Sequence, residues 1–262
     1  MKTIIITGST RGIGFGLADS FLALGQQVVI SGRTQNSVED AFGKLATRHT
    51  AERIFGLPCD VSDFSQVQAL WDAACDHFGQ IDIWINNAGA GNAQTKFWNL
   101  SPERIQTVVD TNVRGAMYGA RVALSGMQKQ GTGAFYNMEG LGSEGPYVAG
   151  LALYASTKSA LKYLTDSLIR EVKGTPVIVG AISPGMVLTD LLTKQYDDKP
   201  AEWEDAKRIF NILADKPETV TPWIAERVLA NLTNGTRIKW LNTWKTLKRF
   251  LTFPFIKRDL FI

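Results

Sequence analysis

The sequence predicts a doubly wound α/β fold, a single parallel sheet of about seven strands with helices on both faces. Three observations carry that prediction. Apolar, β-rich runs alternate with longer stretches of helical period. Runs such as Val28-Val29-Ile30 and Val177-Ile178-Val179 are apolar on both faces, as a parallel strand covered by helices on each side must be. At the start of the chain, a β-rich run passes directly into a glycine-rich turn and then into a helical pattern.

Taken in order, the strands fall near 3–7, 27–31, 53–57, 82–86, 133–138 and 175–182, with helices near 12–25, 64–79, 102–129 and 153–173. No internal repeat, low-complexity tract or linker divides the chain, so residues 1–262 are expected to form one domain. The segment at about 188–217 breaks the rhythm. It is polar and charged (Lys194, Asp197, Asp198, Lys199, Glu202, Glu204) with Tyr196, Trp203 and Phe210 interspersed, and it reads as a substrate lid.

Composition narrows the function classes. The formal charge is only +3 over 262 residues, and no basic stripe precedes the C-terminal end, which argues against nucleic acid as a partner. The apolar run Thr3-Ile4-Ile5-Ile6-Thr7 is too short for the core of a signal peptide. No stretch approaches the roughly 20 apolar residues of a membrane span, and the expected location is the cytoplasm. Cys59 and Cys75 lack CxxC spacing, and His49 and His77 sit in no ligand-spaced cluster, so no disulfide framework and no metal site is expected.

The glycine turn reads Thr7-Gly8-Ser9-Thr10-Arg11-Gly12-Ile13-Gly14. Glycines suit a tight turn, a close backbone approach to a pyrophosphate and a helix packed close on its strand. With 24 glycines in the chain, the spacing alone arises by chance about 0.2 times per chain, so the strand before and the helix after are what make it a nucleotide site. The second strand ends Ser31-Gly32-Arg33-Thr34, without the acid that would take the ribose hydroxyls of NAD. Arg33, together with Arg11, offers planar donors for a 2′-phosphate instead, which points to NADP(H).

Further along, Asn86-Asn87-Ala88-Gly89 closes a strand, and Tyr154-Ala155-Ser156-Thr157-Lys158 opens a long helix that puts the phenol and the ammonium on one face. These motifs, with Asp60-Val61, Asn112 and Ser183-Pro184-Gly185-x-Val187-x-Thr189, resemble the short-chain dehydrogenase/reductase family in order and spacing across nearly the whole chain. The resemblance implies a Rossmann-type fold and a carbonyl or alcohol substrate. It implies Tyr154 as general acid/base, Lys158 as the cation that lowers the phenol's pKa and holds the nicotinamide ribose, and Asn112 as the shaper of a water relay to Lys158. It further implies that the segment from Pro184-Gly185 through Val187 and Thr189 grips the carboxamide. Members of the family usually form dimers or tetramers, and a homo-oligomer is expected.

One part departs from the family pattern. The segment after the fifth strand reads Asn137-Met138-Glu139-Gly140-Leu141-Gly142-Ser143, with Gly140 where the substrate-orienting serine should fall. Two readings of Ser143 stay open: a replacement oxyanion donor on a loop that curls back, or a loop serine facing water. This run, and the stretch from Phe210 to Glu218, look most similar to the chlorophyll(ide) b reductase branch, which implies NADPH-driven reduction of a formyl group on a chlorin ring. Reduction of another aldehyde or ketone, or a degenerate sensor that binds NADP(H) without turnover, are the competing readings.

From Arg237 to Ile262 the chain carries a net +6, leaving −3 for the rest. Trp240, Trp244, Leu247 and Leu251 recur at helical spacing with Lys245, Lys248 and Arg249 offset around the helix. This tail, at about 242–262 in its basic part, docks its apolar face on the body or a neighbouring subunit, lies on an anionic membrane surface, or stays loose.

Overall fold

The computed structural model describes residues 1–144, 147–196, 200–253 and 258–261. The first half of the fold runs β1 (Thr3–Ile6), α1 (Gly12–Ala23), β2 (Gln27–Gly32), α2 (Gln35–Ala46), β3 (Ile54–Pro58), α3 (Phe64–Phe78) and β4 (Ile83–Asn86). It continues through α4 (Pro102–Val109), α5 (Gly115–Gln130), β5 (Gly133–Met138), α6 (Ala152–Glu171) and β6 (Val177–Ser183). The remainder is β7 (Met186–Val187), α7 (Asp190–Thr193), α8 (Pro200–Leu213), β8 (Ala214–Asp215), α9 (Pro217–Ala230), β9 (Arg237–Lys239) and α10 (Thr243–Thr252).

Seven strands form one sheet in the order β3-β2-β1-β4-β5-β6-β9, with every neighbouring pair parallel. The expected doubly wound Rossmann-type sheet is therefore present. Because successive strand residues face opposite sides, Ile4 and Ile6 enter a core with Leu17 and Phe21 of α1 and Ile224 and Val228 of α9. Ile5, between them, enters the core on the other face with Leu70 and Trp71 of α3 and Ala123 and Met127 of α5. Strand order reverses between β1 and β4, and the crevice beyond their C-terminal ends is where such sheets bind ligands.

Local chemistry sets the helix ends. Asp63 caps α3 by accepting from the Ser65 and Gln66 amides, at 2.8 and 3.3 Å, and Ser101 caps α4 ahead of Pro102. Gly131, in the left-handed conformation with φ 75°, ends α5. The single helix expected over 102–129 is instead two, α4 and α5, joined by a π-helical turn at Asp110–Arg114 that contains Asn112. Such widened turns recur at functional sites, and this one lies beside α6.

The 188–217 segment, apart from residues 197–199 (Asp197, Asp198, Lys199), which lie outside the described residues, forms α7, α8 and β8. The β7–β8 pairing ties its far end back to the strand that precedes it. Its aromatics do not stand apart as pocket walls. Tyr196, Trp203 and Phe210 pack on one another, and Phe261 of the tail joins Trp203 with ring centroids 5.0 Å apart.

The tail docks on the body with the opposite face from the one expected. Arg249 and Arg258 both bond the buried Asp215 carboxylate, each at 2.7 Å, and Trp240 donates to it at 2.6 Å. Lys245 lies 3.0 Å from the Trp240 ring centroid. A buried carboxylate needs cations more than a hydrophobic surface needs apolar cover, so Lys245 and Arg249 of α10 turn inward while Lys248, Trp244, Leu247, Phe250 and Leu251 are exposed. Residues 254–257, Lys257 among them, and Ile262 lie outside the described residues.

Candidate active site

The glycine turn leaves β1 at its C-terminal end. Gly8 and Gly12 have positive φ, 62° and 58°, a conformation that a side chain disfavours. A Cβ on Gly8 would stand 2.8 Å from the Ala88 Cα, and Gly14 is equally crowded by Asn87. The β4 loop is bound to this turn: Asn87 and Ala88 donate their amides to Thr7 Oγ1 at 3.0 and 3.1 Å, while Asn87 Nδ2 donates to the Thr7 and Gly8 carbonyls. Ser9 is fully buried and bonds the Ile6 carbonyl and the Ser31 amide, so it joins β1 to β2. Thr10 stands over Gly32, and Ile13 packs against the core.

At the start of α1, Arg11 makes no side-chain cap and the first turn holds no acid. Its leading N–H groups and the helix dipole are thus available to an anion, a fit for the pyrophosphate of a dinucleotide. Arg11 is exposed and lies 3.4 Å from Asp190. Arg33 is exposed beyond the end of β2, and Thr34 caps α2 by accepting from the Ser37 amide. Asp60 is held by Ser62 at 2.7 and 2.9 Å, and buried Val61 packs on Gly115.

The segment implied to grip the carboxamide reaches across this turn. Gly185 has φ 74°, Pro184 and Val187 are buried, and Thr189 Cγ2 is 3.2 Å from where a Cβ on Gly12 would stand. Residues more than 170 positions apart in the chain thus wall the same crevice, as the Arg11–Asp190 pair also shows.

Tyr154 and Lys158 sit on the first turns of α6. Lys158 is buried, and its Nζ donates to the Met138 carbonyl at 2.9 Å and lies 5.7 Å from the Tyr154 ring centroid. Burial pulls the ammonium down to about 8, opposed by the negative charge of Glu139. Burial pushes the Tyr154 phenol up to about 12. The lowering expected of Lys158 belongs to the pair together with an oxidised nicotinamide; in the protein alone the direction is set by burial of the phenol. Asn112 is buried in the π-helical turn, where it accepts from the Ala90 amide at 2.8 Å and donates to the Ala90 carbonyl and Thr157 Oγ1. Gly89 adjoins the same side chain.

The loop after β5 completes the site. A Cβ on Gly140 would stand 2.9 Å from the Tyr154 hydroxyl. Ser143 neither faces water nor points to the phenol: its hydroxyl donates to the Lys158 carbonyl at 3.1 Å and accepts from the Gly140 amide at 3.3 Å. The sequence places Glu139 in the unusual run after the fifth strand and Arg237 at the start of the basic tail without relating the two, yet Glu139 is buried at the end of β5 and ion-paired with Arg237 of β9. The available signal was an acid at the end of an apolar strand, which burial obliges to find a cation.

The reversal of strand order, the open helix N-terminus over a glycine turn and the tyrosine–lysine pair on α6 define an oxidoreductase of the dinucleotide-binding α/β class. The short chain dehydrogenase family matches residues 2–200, and the chain belongs to that family. It is 36% identical over 258 residues to the chloroplastic chlorophyll(ide) b reductase NOL of Oryza sativa subsp. japonica, covering 95% of this chain and 74% of that protein. A probable chloroplastic chlorophyll(ide) b reductase of the same species is 35% identical over 96% of this chain, which spans about half, 52%, of that longer relative. Among solved structures, ElxO with NADP bound superposes with TM-score 0.79 at 27% identity, over 91% of this chain and 96% of that one. A 3-ketoacyl-(acyl-carrier-protein) reductase from Brucella melitensis complexed with NADH gives 0.78 at 25%, with the same coverages.

Proposed function

We propose that this chain reduces a carbonyl to an alcohol with NADPH, and that the carbonyl is the formyl group of chlorophyll(ide) b. The observation that carries the reaction class is the Tyr154 phenol, protonated at neutral pH as phenols are, with its ring centroid 5.7 Å from the ammonium of buried Lys158. A reductase needs that form, a proton donor for the oxygen. When bound, NADPH supplies the hydride that reaches the carbonyl carbon. Tyr154 gives its proton to the carbonyl oxygen as negative charge develops there, and the Lys158 ammonium stabilises the phenolate left behind. Asn112 fixes the Ala90 loop against α6 and so holds both residues in register.

NADPH over NADH is supported by exposed Arg33, which has no hydrogen bond or ion pair among the described residues. The rest of the dinucleotide falls to the glycine turn, Asp60-Val61, Asn87 to Gly89, and Pro184 to Thr189. The chlorin assignment rests on the chlorophyll(ide) b reductases, 35–36% identical to the chain. It also fits a site in which Gly140 adds no side chain over the phenol. Residues 188–217, read as the lid of a single domain, begin beside the glycine turn, where Thr189 lies against Gly12. Among the described residues no helix is long and apolar enough to cross a membrane. The exposed apolar face of α10 is suited to a second copy of the chain or a membrane surface, and a cytoplasmic homo-oligomer is the assembly proposed.

The test is a panel of aldehydes and ketones, chlorophyllide b included, assayed with NADPH and NADH and with Tyr154→Phe as control. The expected result is NADPH-dependent conversion of the formyl to a hydroxymethyl group, with kcat reduced about 100- to 10,000-fold in Tyr154→Phe. Turnover of other carbonyls but not chlorophyllide b overturns the chlorin assignment. Cofactor binding without consumption on any of them overturns the enzyme reading in favour of a sensor.

A further inference from the structure

We propose that Glu139 is a positioning residue of the active site: clamped by Arg237, its buried carboxylate keeps the Lys158 ammonium charged and seated on the Met138 carbonyl. The inference rests on the reading above, in which Lys158 acts as a cation beside Tyr154.

The geometry begins with the β5–β6 ladder. It runs one bond past β5, where the Glu139 amide donates to the Ile182 carbonyl at 2.8 Å. That bond fixes the peptide between Met138 and Glu139, whose carbonyl receives the Lys158 ammonium at 2.9 Å. The Glu139 side chain is 1% exposed. Its carboxylate takes the Arg237 guanidinium on one oxygen, and Ser183 Oγ donates to the other at 3.3 Å. Arg237 is itself held from its other arm by Asp166, which also receives Lys162 at 2.7 Å. A chain of alternating charge therefore runs from α6 through β9 to the end of β5, and its last carboxylate lies next to the peptide that seats Lys158.

A stability role alone does not account for this arrangement. Buried ion pairs are commonly matched or bettered by apolar side chains of similar volume, and the position continues an apolar strand. Glu139 is also the charge that opposes the desolvation of Lys158. The other charged groups on the neighbouring elements are paired among themselves: Asp110 with Arg114 on the π-helical turn, Lys162 with Asp166 on α6, and Glu144 with Lys239 of β9. From the β4 loop, Asn86 and Asn87 present neutral amides, and Tyr154 on α6 is a neutral phenol. Glu139 is thus the anion placed to act on Lys158, and its ion pair with Arg237 holds it there.

The test is a direct titration of Lys158 by carbon NMR of lysine labelled at Cε, its signal assigned by its loss in Lys158→Met. It is made on wild type, Glu139→Gln and Glu139→Asp, alongside the pH profile of kcat/KM for NADPH with chlorophyllide b. The Lys158 midpoint is expected to fall by about one pH unit or more in Glu139→Gln and to recover in Glu139→Asp. The alkaline limb of kcat/KM should move with it. A midpoint in Glu139→Gln within about 0.3 unit of wild type overturns the proposal. A midpoint that falls without moving the limb overturns instead the reading of Lys158 as a required cation. If Glu139→Gln does not fold, Glu139→Gln/Arg237→Gln replaces both charges by amides, leaves no buried charge unpaired, and is judged by the same midpoint.

Discussion

Gly140 and Tyr154 approach so closely that a single methyl group on the glycine would stand 2.9 Å from the phenol oxygen. The family's serine has no place at this position unless Tyr154 moves. Gly140→Ala is therefore expected to displace the phenol by a few tenths of an ångström, with kcat/KM lowered about 10- to 100-fold. The melting temperature should change little, because the phenol can tilt toward the open crevice. Steady-state kinetics with a melting curve on the same sample checks this, and wild-type kcat/KM would show that the phenol has room to spare.

Ser143 gives its one proton to the Lys158 carbonyl, so it clamps the loop to α6 and is not directed at a substrate oxygen. Ser143→Ala is expected to keep kcat within about threefold and to lose about 1 kcal/mol of stability, the worth of the two bonds it breaks. A fall in kcat of about 100-fold at unchanged stability would restore Ser143 as an oxyanion donor.

Most of the sheet was legible because its signals are local. Strands such as Val28-Val29-Ile30 are apolar on both faces, and β1, β2, β4 and β5 appear within a residue of their expected bounds. Less legible were elements held by partners distant in sequence. β9 is the three-residue run Arg-Ile-Lys, and only pairing with β6 makes it a strand. The break between α4 and α5 is a π-helical turn within an unbroken helical pattern, with no proline to announce it. At the site, the spacing of Tyr154 and Lys158 and the glycine positions could be read directly, since each reflects contacts within one turn of chain. The Glu139–Arg237 pair spans 98 residues, and no local pattern joins its members. The inward turn of the tail's cations was likewise hidden, because it depends on Asp215 being buried beneath them.

Arg33 supplies a cofactor prediction. Exposed beyond β2 and capping nothing, it has little to contribute to folding. Arg33→Ala should weaken NADPH binding about 10- to 100-fold, the worth of a charge-assisted bond to phosphate, and leave NADH binding within about twofold. Fluorescence titration of both cofactors reads the difference. Equal losses for the two would mean that Arg33 meets a part of the dinucleotide common to both.

Lys158 yields a prediction about stability in which the sign is the informative part. Its folded value is pulled down to about 8 by burial, whereas an unfolded lysine titrates near ~10.4. Between those values the unfolded chain binds the extra proton, so the lysine's contribution to stability rises with pH across that window. At neutral pH the buried ammonium is a cost, offset only in part by its bond to Met138. Lys158→Met should therefore abolish activity and yet melt roughly 2–4 °C above wild type at pH 7. That gap should narrow as pH climbs from about 8 toward 10, where the wild-type amine sheds its proton in the folded state. Calorimetry at pH 7 and pH 9.5 measures both halves, and a variant that melts below wild type at pH 7 would mean that the lysine's packing and its carbonyl bond outweigh its desolvation.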